Sequence, residues 1–469
     1  MDPDLLPGAG AGAPGGPPTL RRDYLTGLEN VAQTLGTMAP TGTLGVIIPL
    51  LIGKTGNGTW LLYLFVLAIC LLILVNINGF AVRCASAGGL ATYARLGLGK
   101  GAGVWTGWIY IGAMLFGAAS AAPSAAYYAC LVISRATGIP NAVPLEATVT
   151  ALIALAAWWT AFRDMKLSGD VMIVIEVVSL AVMITIIVIA MMRNGIWIDR
   201  PQLTLQGVGP GAFSAGLVLA FITMGGFESA TTLGEEAKHA ERAIPRAILG
   251  CIVPMGALYL IMTYLLVGLG RKFGIALDQL DTPFDTISRL CHFPVLGTLS
   301  SVGVALSYFA CTLGSINAGS RTMYSMSEDG NFMGSFGRAH PKNATPHRAI
   351  ALFGGFSIAI PIALLLAGVT LYSVIDYVSQ LAALGFIGAY FMVCLAAPFF
   401  LAKEGALSTP RIAASVAALV LLGIVMVQSV YPVPPAPACY LPYVFAATIV
   451  AGATLSWKIR RATGPALVP

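Results

Sequence analysis

The chain has 469 residues, of which 57% are hydrophobic and 10% charged, and its mean hydropathy is +0.83. Soluble globular proteins carry about 25% charged residues, so this deficit excludes an ordinary soluble domain and selects an integral membrane protein. The net charge of +6 matters less than where the positive residues fall, and eight cysteines without a Cys-x-x-Cys spacing and four dispersed histidines exclude a disulfide framework and a zinc site.

Residues 1–22, rich in Gly, Pro and Ala as far as Thr19, lack the basic and apolar regions of a signal peptide and are expected to form a disordered cytoplasmic tail. An apolar helix needs about 20 residues to cross a bilayer. Reading apolar runs against that length predicts an all-α membrane protein with twelve transmembrane helices. They lie near 29–52, 59–82, 102–134, 145–163, 168–194, 211–233, 247–270, 295–328, 347–367, 371–400, 411–430 and 438–458. Turn-forming residues separate them, among them Gly53–Gly58, Gly138–Asn141, Arg200–Gln202 and Tyr431–Pro435. Two shorter segments stand out. Ser86–Gly99 is too short to span and is expected at the interface. Arg271–Phe293, with Asp278, Asp281 and Asp285, suits a short helical lid or a passive loop. The last residues, 462–469, are read as a tail whose Ala466–Pro469 resembles the remnant of an added tag.

Placing the N-terminus in the cytoplasm puts 19 of the 26 Lys and Arg residues on inside segments, which predicts both termini inside the cell inner membrane. Two of the twelve spans are interrupted. The first breaks at Pro40–Gly45, and the sixth stops at Gly225 and Gly226 before resuming with Glu228. The first runs inside to outside and the sixth outside to inside. Residues 23–200 and 201–403 therefore read as an inverted repeat of five helices each, followed by two further helices over 404–461. Interrupted helices in corresponding places of two halves are the best sequence pointer to a transporter binding site.

The chemistry of the breaks points to a zwitterion. Free amides at Thr41, Gly42, Thr43, Leu44 and Gly45, with the dipole of the helix that restarts there, suit a carboxylate. Carbonyls freed at Phe221, Ile222, Thr223 and Met224, beside Gly225 and Gly226, suit an ammonium. The alternative is that Gly-Gly serves close helix packing. The side-chain pocket is expected on the third, sixth, eighth and tenth helices, from Met114, Phe116, Ser307, Tyr308, Phe309, Asn317 and Gln380 beside Phe221 and Ile222. This set favours a neutral side chain.

Ionisable residues within the membrane are functional candidates. Glu228 is either a proton carrier or a side chain that bonds the freed amides and shapes the break. Glu176, with Ser179 one turn on, is either the proton-coupling group or a structural hydrogen-bond partner. Asp376 is read as interfacial and structural. The cluster Glu235–Arg246 could close an inner gate by pairing with Arg95, Arg321 or Arg348. There is no G-x-x-x-x-G-K-[ST] motif for ATP-driven transport and no nucleophile or metal pattern for an enzyme. No cofactor or nucleic-acid partner is expected, and the protein is read as a monomer or homodimer.

Gly226-Phe-Glu-Ser-Ala230 followed by Gly234-Glu-Glu236 and Ile244-Pro-Arg-Ala247 resembles the sixth helix and following loop of the amino acid–polyamine–organocation transporter superfamily. Ser315–Arg321 with Asp329-Gly330 and His340-Pro341 is similar to its eighth helix and loop, and Gly42-Thr43-Leu44 stands where the family has a Gly-Ser-Gly substrate loop. The resemblance covers essentially all of the transmembrane length. It implies the five-plus-five fold with two extra helices, alternating access, and secondary transport of an amino acid or amine by symport or antiport. This chain has Ile222 beside Phe221 where many relatives carry an aromatic gate. It has Glu176 and Ser179 where proton-coupled relatives often place a lysine.

Overall fold

Pro40 has no amide hydrogen to donate, and Ala39 before it takes a left-handed conformation at φ 45°. In the computed structural model, which describes residues 18–195, 198–431 and 433–463, these two residues end the first helix. α1 (Gly27–Met38) starts with a capping box between Thr26 and Glu29. A short turn, α2 (Pro40–Gly42), follows the kink, and Thr43–Ile47 continues as a wider π-helical turn into α3 (Ile48–Thr55). The break therefore lies at Ala39, just before the expected Pro40–Gly45, and winding resumes at once.

Gly56–Gly58 turns the chain into α4 (Thr59–Ala81). Then come α5 (Leu90–Leu98), α6 (Lys100–Thr137), α7 (Val143–Arg163), α8 (Met165–Asn194) and α9 (Arg200–Leu203). α10 (Pro210–Ile222) ends in turns over 223–228 and a 3₁₀ turn at Ser229–Leu233. The remaining helices are α11 (Ala240–Phe273), α12 (Pro283–Leu290), α13 (Pro294–Glu328), α14 (His347–Leu366), α15 (Leu371–Lys403), α16 (Thr409–Gln428) and α17 (Leu441–Thr463). The tail expected at 1–22 and the tag remnant at 466–469 fall mainly or wholly outside the described residues.

Among the described residues ten stretches are long and apolar enough to cross a membrane, and the first of them, Gly27–Ala81, is 55 residues long and contains the Gly56–Gly58 turn. α10 is not among the ten. Its 13 residues rise about 20 Å, short of a hydrocarbon core of about 30 Å. The expected sixth span, 211–233, is thus a half-length helix followed by irregular backbone. Among the described residues the one β-type contact is an isolated parallel bridge, Leu25 with Ala237.

α6, α13 and α15 are the most enclosed helices, while α7, α16 and α17 lie at the periphery. α5 is not laid on the surface as expected for Ser86–Gly99: seven of its nine residues are buried. Tyr93 stacks on Phe80 at 5.0 Å, and a Cβ at Gly97 would meet the carbonyl oxygen of Ala396 at 2.4 Å. Close packing between neighbouring helices holds it there. Arg271–Phe293 contains the 3₁₀ turn Leu277–Gln279 and α12, the helical form of the two expected.

Candidate functional site at the two helix breaks

The two breaks meet at a cavity of about 140 Å³. α1 contributes Thr37 and Met38, with Ala39 at the kink and Thr43 beyond it; α10 and its end contribute Leu219, Ile222, Thr223 and Gly225. α6 lines it with Gly117, Ser120, Ala121 and Ser124, a helical stripe of small residues that leaves room for a solute. α13 adds Tyr308, Cys311 and Ser315, and α15 adds Tyr372, Asp376, Ser379 and Phe386.

Of the residues expected here, Thr43, Ile222, Thr223, Gly225 and Tyr308 line the cavity. The others do not, for identifiable reasons. Met114 and Phe116 are buried on other faces of α6, Met114 near Gly319 and Phe116 with its ring 6.3 Å from that of Phe445. Gln380 is half-buried, but α15 turns Ser379 and Asp376 to the cavity instead. Leu44 is core, and the Gly45 carbonyl accepts a hydrogen bond from Tyr128 at 3.0 Å. Phe221 packs edge-on against Tyr390. Gly226, at φ 86°, sits so close to Thr37 that a Cβ would meet Thr37 Cγ2 at 2.5 Å. Only glycine combines that backbone with that contact.

The amides expected to be free at the first break are engaged. Thr41 N and Oγ1 donate to Glu176 Oε2 at 3.4 and 3.0 Å, Gly42 N donates to Ser307 Oγ at 3.1 Å, and Ser307 donates to Glu176 Oε1 at 2.5 Å. Thr43 N donates to the Ala39 carbonyl at 2.9 Å. Glu176, fully buried on α8, therefore approaches the break from behind the cavity. Ser179 lies next to it on the same helix, within 3.0 Å of where a Cβ of Gly303 would stand. At the second break the Phe221 and Ile222 carbonyls accept from Met224 N and Gly225 N. Glu228 turns back toward its own break: it accepts from the Tyr390 hydroxyl, which in turn accepts from Gly226 N at 3.1 Å.

Most hydroxyl protons around the cavity are also spent on carbonyls. Thr37 donates to Gln33 O, Ser120 to Gly117 O, Ser124 to Ser120 O, Thr223 to Ala220 O, Tyr308 to Gly42 O and Ser379 to Asp376 O. Their oxygens are left with lone pairs to offer. Among the described residues Asp376 is the one charged residue lining the cavity, and it makes no ion pair there. An acceptor-rich, weakly acidic and otherwise apolar chamber suits an ammonium group on a small solute. Asp376 is exposed, as the interfacial position expected for it implies, and also borders the cavity. The signal that could have found it is the helical spacing of Tyr372, Asp376 and Ser379 on one face of α15.

The chamber continues at one end. Toward α12 it adjoins a second space of about 300 Å³ with which it shares Val46, Leu50, Ser124, Tyr372 and Ile375, and which Asp278 and Asp281 help to line. Further along α13 from Ser315, Arg321 is fully buried, forms an ion pair with Glu236 and donates to the Asn317 carbonyl at 3.2 Å. The Glu236 carbonyl accepts from the amides of Tyr24 and Leu25 at 2.8 Å each, and Ala87 N donates to Glu235 at 3.2 Å. Of the three partners expected for the 235–246 cluster, Arg321 is the one engaged. Arg95 pairs with Asp329 at 2.5 Å, and Arg348 donates to the Ser335 carbonyl.

A family model described as amino acid permease matches residues 30–454. The chain belongs to the amino acid permease family. Among relatives of this permease, the low-affinity putrescine importer PlaP of Escherichia coli K12 is 28% identical over 350 residues, covering 72% of this chain and 74% of that protein. The branched-chain amino acid permease BcaP of Bacillus subtilis is 23% identical over 340 residues, covering 69% and 71%. An uncharacterized amino acid permease of Bacillus subtilis, YecA, is 25% identical over 344 residues, covering 72% and 77%. This permease is accordingly a multi-pass membrane protein of a transporter family.

Proposed function

We propose that this permease is a secondary transporter that moves an α-amino acid with a neutral side chain across the plasma membrane by alternating access, coupled to protons through Glu176. The observation that carries the reading is the solute-sized cavity bounded by both helix breaks and continuing toward the segment before α12; on this reading the buried Arg321–Glu236 pair is the inner closure. On this reading the chain crosses the membrane twelve times, with an inverted repeat over 23–200 and 201–403, and both termini are cytoplasmic. The site comprises Thr43, Ile222, Thr223, Gly225 and Tyr308, with Thr37 and the serines of α6 added. Glu176 acts from behind the break. Its two oxygens accept from three donors, and a proton on either oxygen turns an acceptor into a donor. Those contacts then cannot all persist, which gives the proton a lever on the α1 kink.

A second reading, an amine or polyamine carrier, is favoured by Asp376 and by the scarcity of free donors. A zwitterion's carboxylate would need hydroxyls such as Thr43 or would have to compete with Glu176 for Thr41. An amine needs neither. Transport into liposomes separates the two, using a neutral amino acid, its methyl ester and its decarboxylated amine, with and without proton and sodium gradients. Loss of binding on esterification supports the amino acid. Uptake of ester and amine as good as that of the amino acid would move the assignment to amines. Uptake indifferent to both gradients would make the protein an exchanger without ion coupling.

A further inference from the structure

A separate groove of about 580 Å³ lies between the starts of α1 and α11, away from the cavity at the breaks. Four basic residues line it: Lys238, His239, Arg242 and Arg246. All four are exposed. Among the described residues none of them makes a side-chain hydrogen bond or ion pair, whereas Arg21, Arg95 and Arg321 at the same end of the bundle are paired with Asp164, Asp329 and Glu236. No carboxylate lines the groove. The first turn of α11, a 34-residue helix, opens into it, and its dipole adds positive potential there.

The groove also continues into an apolar surface. Arg242, Arg246, Leu249 and Val253 follow one another on a single face of α11, within an arc of roughly 60° at about 100° per residue. Leu249 and Val253 are exposed, as is Leu28 on α1. Two arginines at the helix start followed by lipid-facing aliphatic residues match an amphiphile with an anionic head and an apolar chain. A soluble anion would have no use for the aliphatic part of the stripe. We infer that the groove at Lys238, His239, Arg242 and Arg246 binds the phosphate headgroup of an anionic phospholipid, whose acyl chain lies along Leu249 and Val253.

The test uses the full chain in neutral detergent. Retention of phosphatidylglycerol and of phosphatidylcholine is measured by native mass spectrometry, alone and against millimolar inorganic phosphate. Phosphatidylglycerol is expected to be retained well above phosphatidylcholine and to resist phosphate. A juxtamembrane basic residue contributes about fivefold to binding of anionic lipid, so Arg242→Gln with Arg246→Gln should lower retention by roughly 25-fold. Arg242→Lys with Arg246→Lys should keep most of it. Equal retention of the two lipids, or a double Gln variant that binds like the parent, overturns the inference. Displacement by inorganic phosphate also overturns it, because the groove would then be a site for a soluble anion.

Discussion

Glu176 of α8 and Thr41 of the α1 kink are joined twice, through the Thr41 amide at 3.4 Å and its hydroxyl at 3.0 Å. The carboxylate thus occupies a position that a helix break would otherwise offer to an anion. Glu176→Gln keeps an acceptor for Thr41 but cannot gain or lose a proton. The variant is expected to bind substrate and to lose the dependence of uptake on a proton gradient. A Glu176→Gln protein whose uptake still followed the proton gradient in liposomes would show that the proton is carried elsewhere.

Among the described lining residues Asp376 alone carries a formal charge. A charge-assisted hydrogen bond contributes about 1.5–3 kcal/mol. Asp376→Asn should therefore raise the KM for a cationic amine by roughly tenfold to a hundredfold, and that for a neutral amino acid by much less. Equal changes for both substrates in a competition assay would mean that the carboxylate does not read the ligand's charge.

Both side chains of the Arg321–Glu236 pair are buried, and on the proposed reading the pair closes the inner end of the chamber. Removing one partner leaves an uncompensated buried charge, at about 3–5 kcal/mol. Arg321→Ala is expected to lower the thermal midpoint strongly and to loosen this end. Cys84 reports the loosening: it is buried, and burial pushes its thiol up to about 11, opposed by the Arg95 charge. Alkylation of Cys84, followed by peptide mass mapping, should be slow in the parent and faster in Arg321→Ala. Replacing both Arg321 and Glu236 with methionine should restore much of the midpoint but, if the proposed alternating access holds, not transport. Unchanged labelling in Arg321→Ala would remove the pair from any gating role.

Gly226 combines a left-handed backbone with contact to Thr37. Gly226→Ala incurs the strain of positive φ, about 1–3 kcal/mol, and pushes α10 and α1 apart. Adding Thr37→Ala relieves the contact but not the backbone. The double variant should recover part of the lost stability while the single variant recovers none. Thermal unfolding of the three proteins decides this, and full rescue by Thr37→Ala would show that crowding alone had set the requirement for glycine.

Several features were legible because they depend on local chemistry. Apolar run length set most of the helices, and Pro40, Gly225 and Gly226 marked both interruptions, since proline removes a donor and glycine releases the backbone wherever they occur. The identities of Thr43, Ile222, Thr223, Gly225 and Tyr308 followed from their closeness in sequence to those marks or from their place on an expected neighbouring helix. What sequence could not settle was rotation. Along α6 the residues at 114, 116, 117 and 120 are all plausible pocket residues. Packing against α17 and α13 takes Phe116 and Met114 away, and leaves Gly117 and Ser120 to the cavity. On α15 the same rotation exchanges Gln380 for Ser379, and puts the exposed Asp376 on the cavity's border.

The sequence by itself determined that this is a membrane protein with two interrupted helices and buried acids near them, because hydropathy, proline and glycine act residue by residue. Only the tertiary structure decided what those acids do. Glu176 lies 135 positions from Thr41 and 131 from Ser307, and Glu228 lies 162 from Tyr390. Which donors a buried carboxylate finds depends on which distant helices pack against it, and burial obliges it to find them.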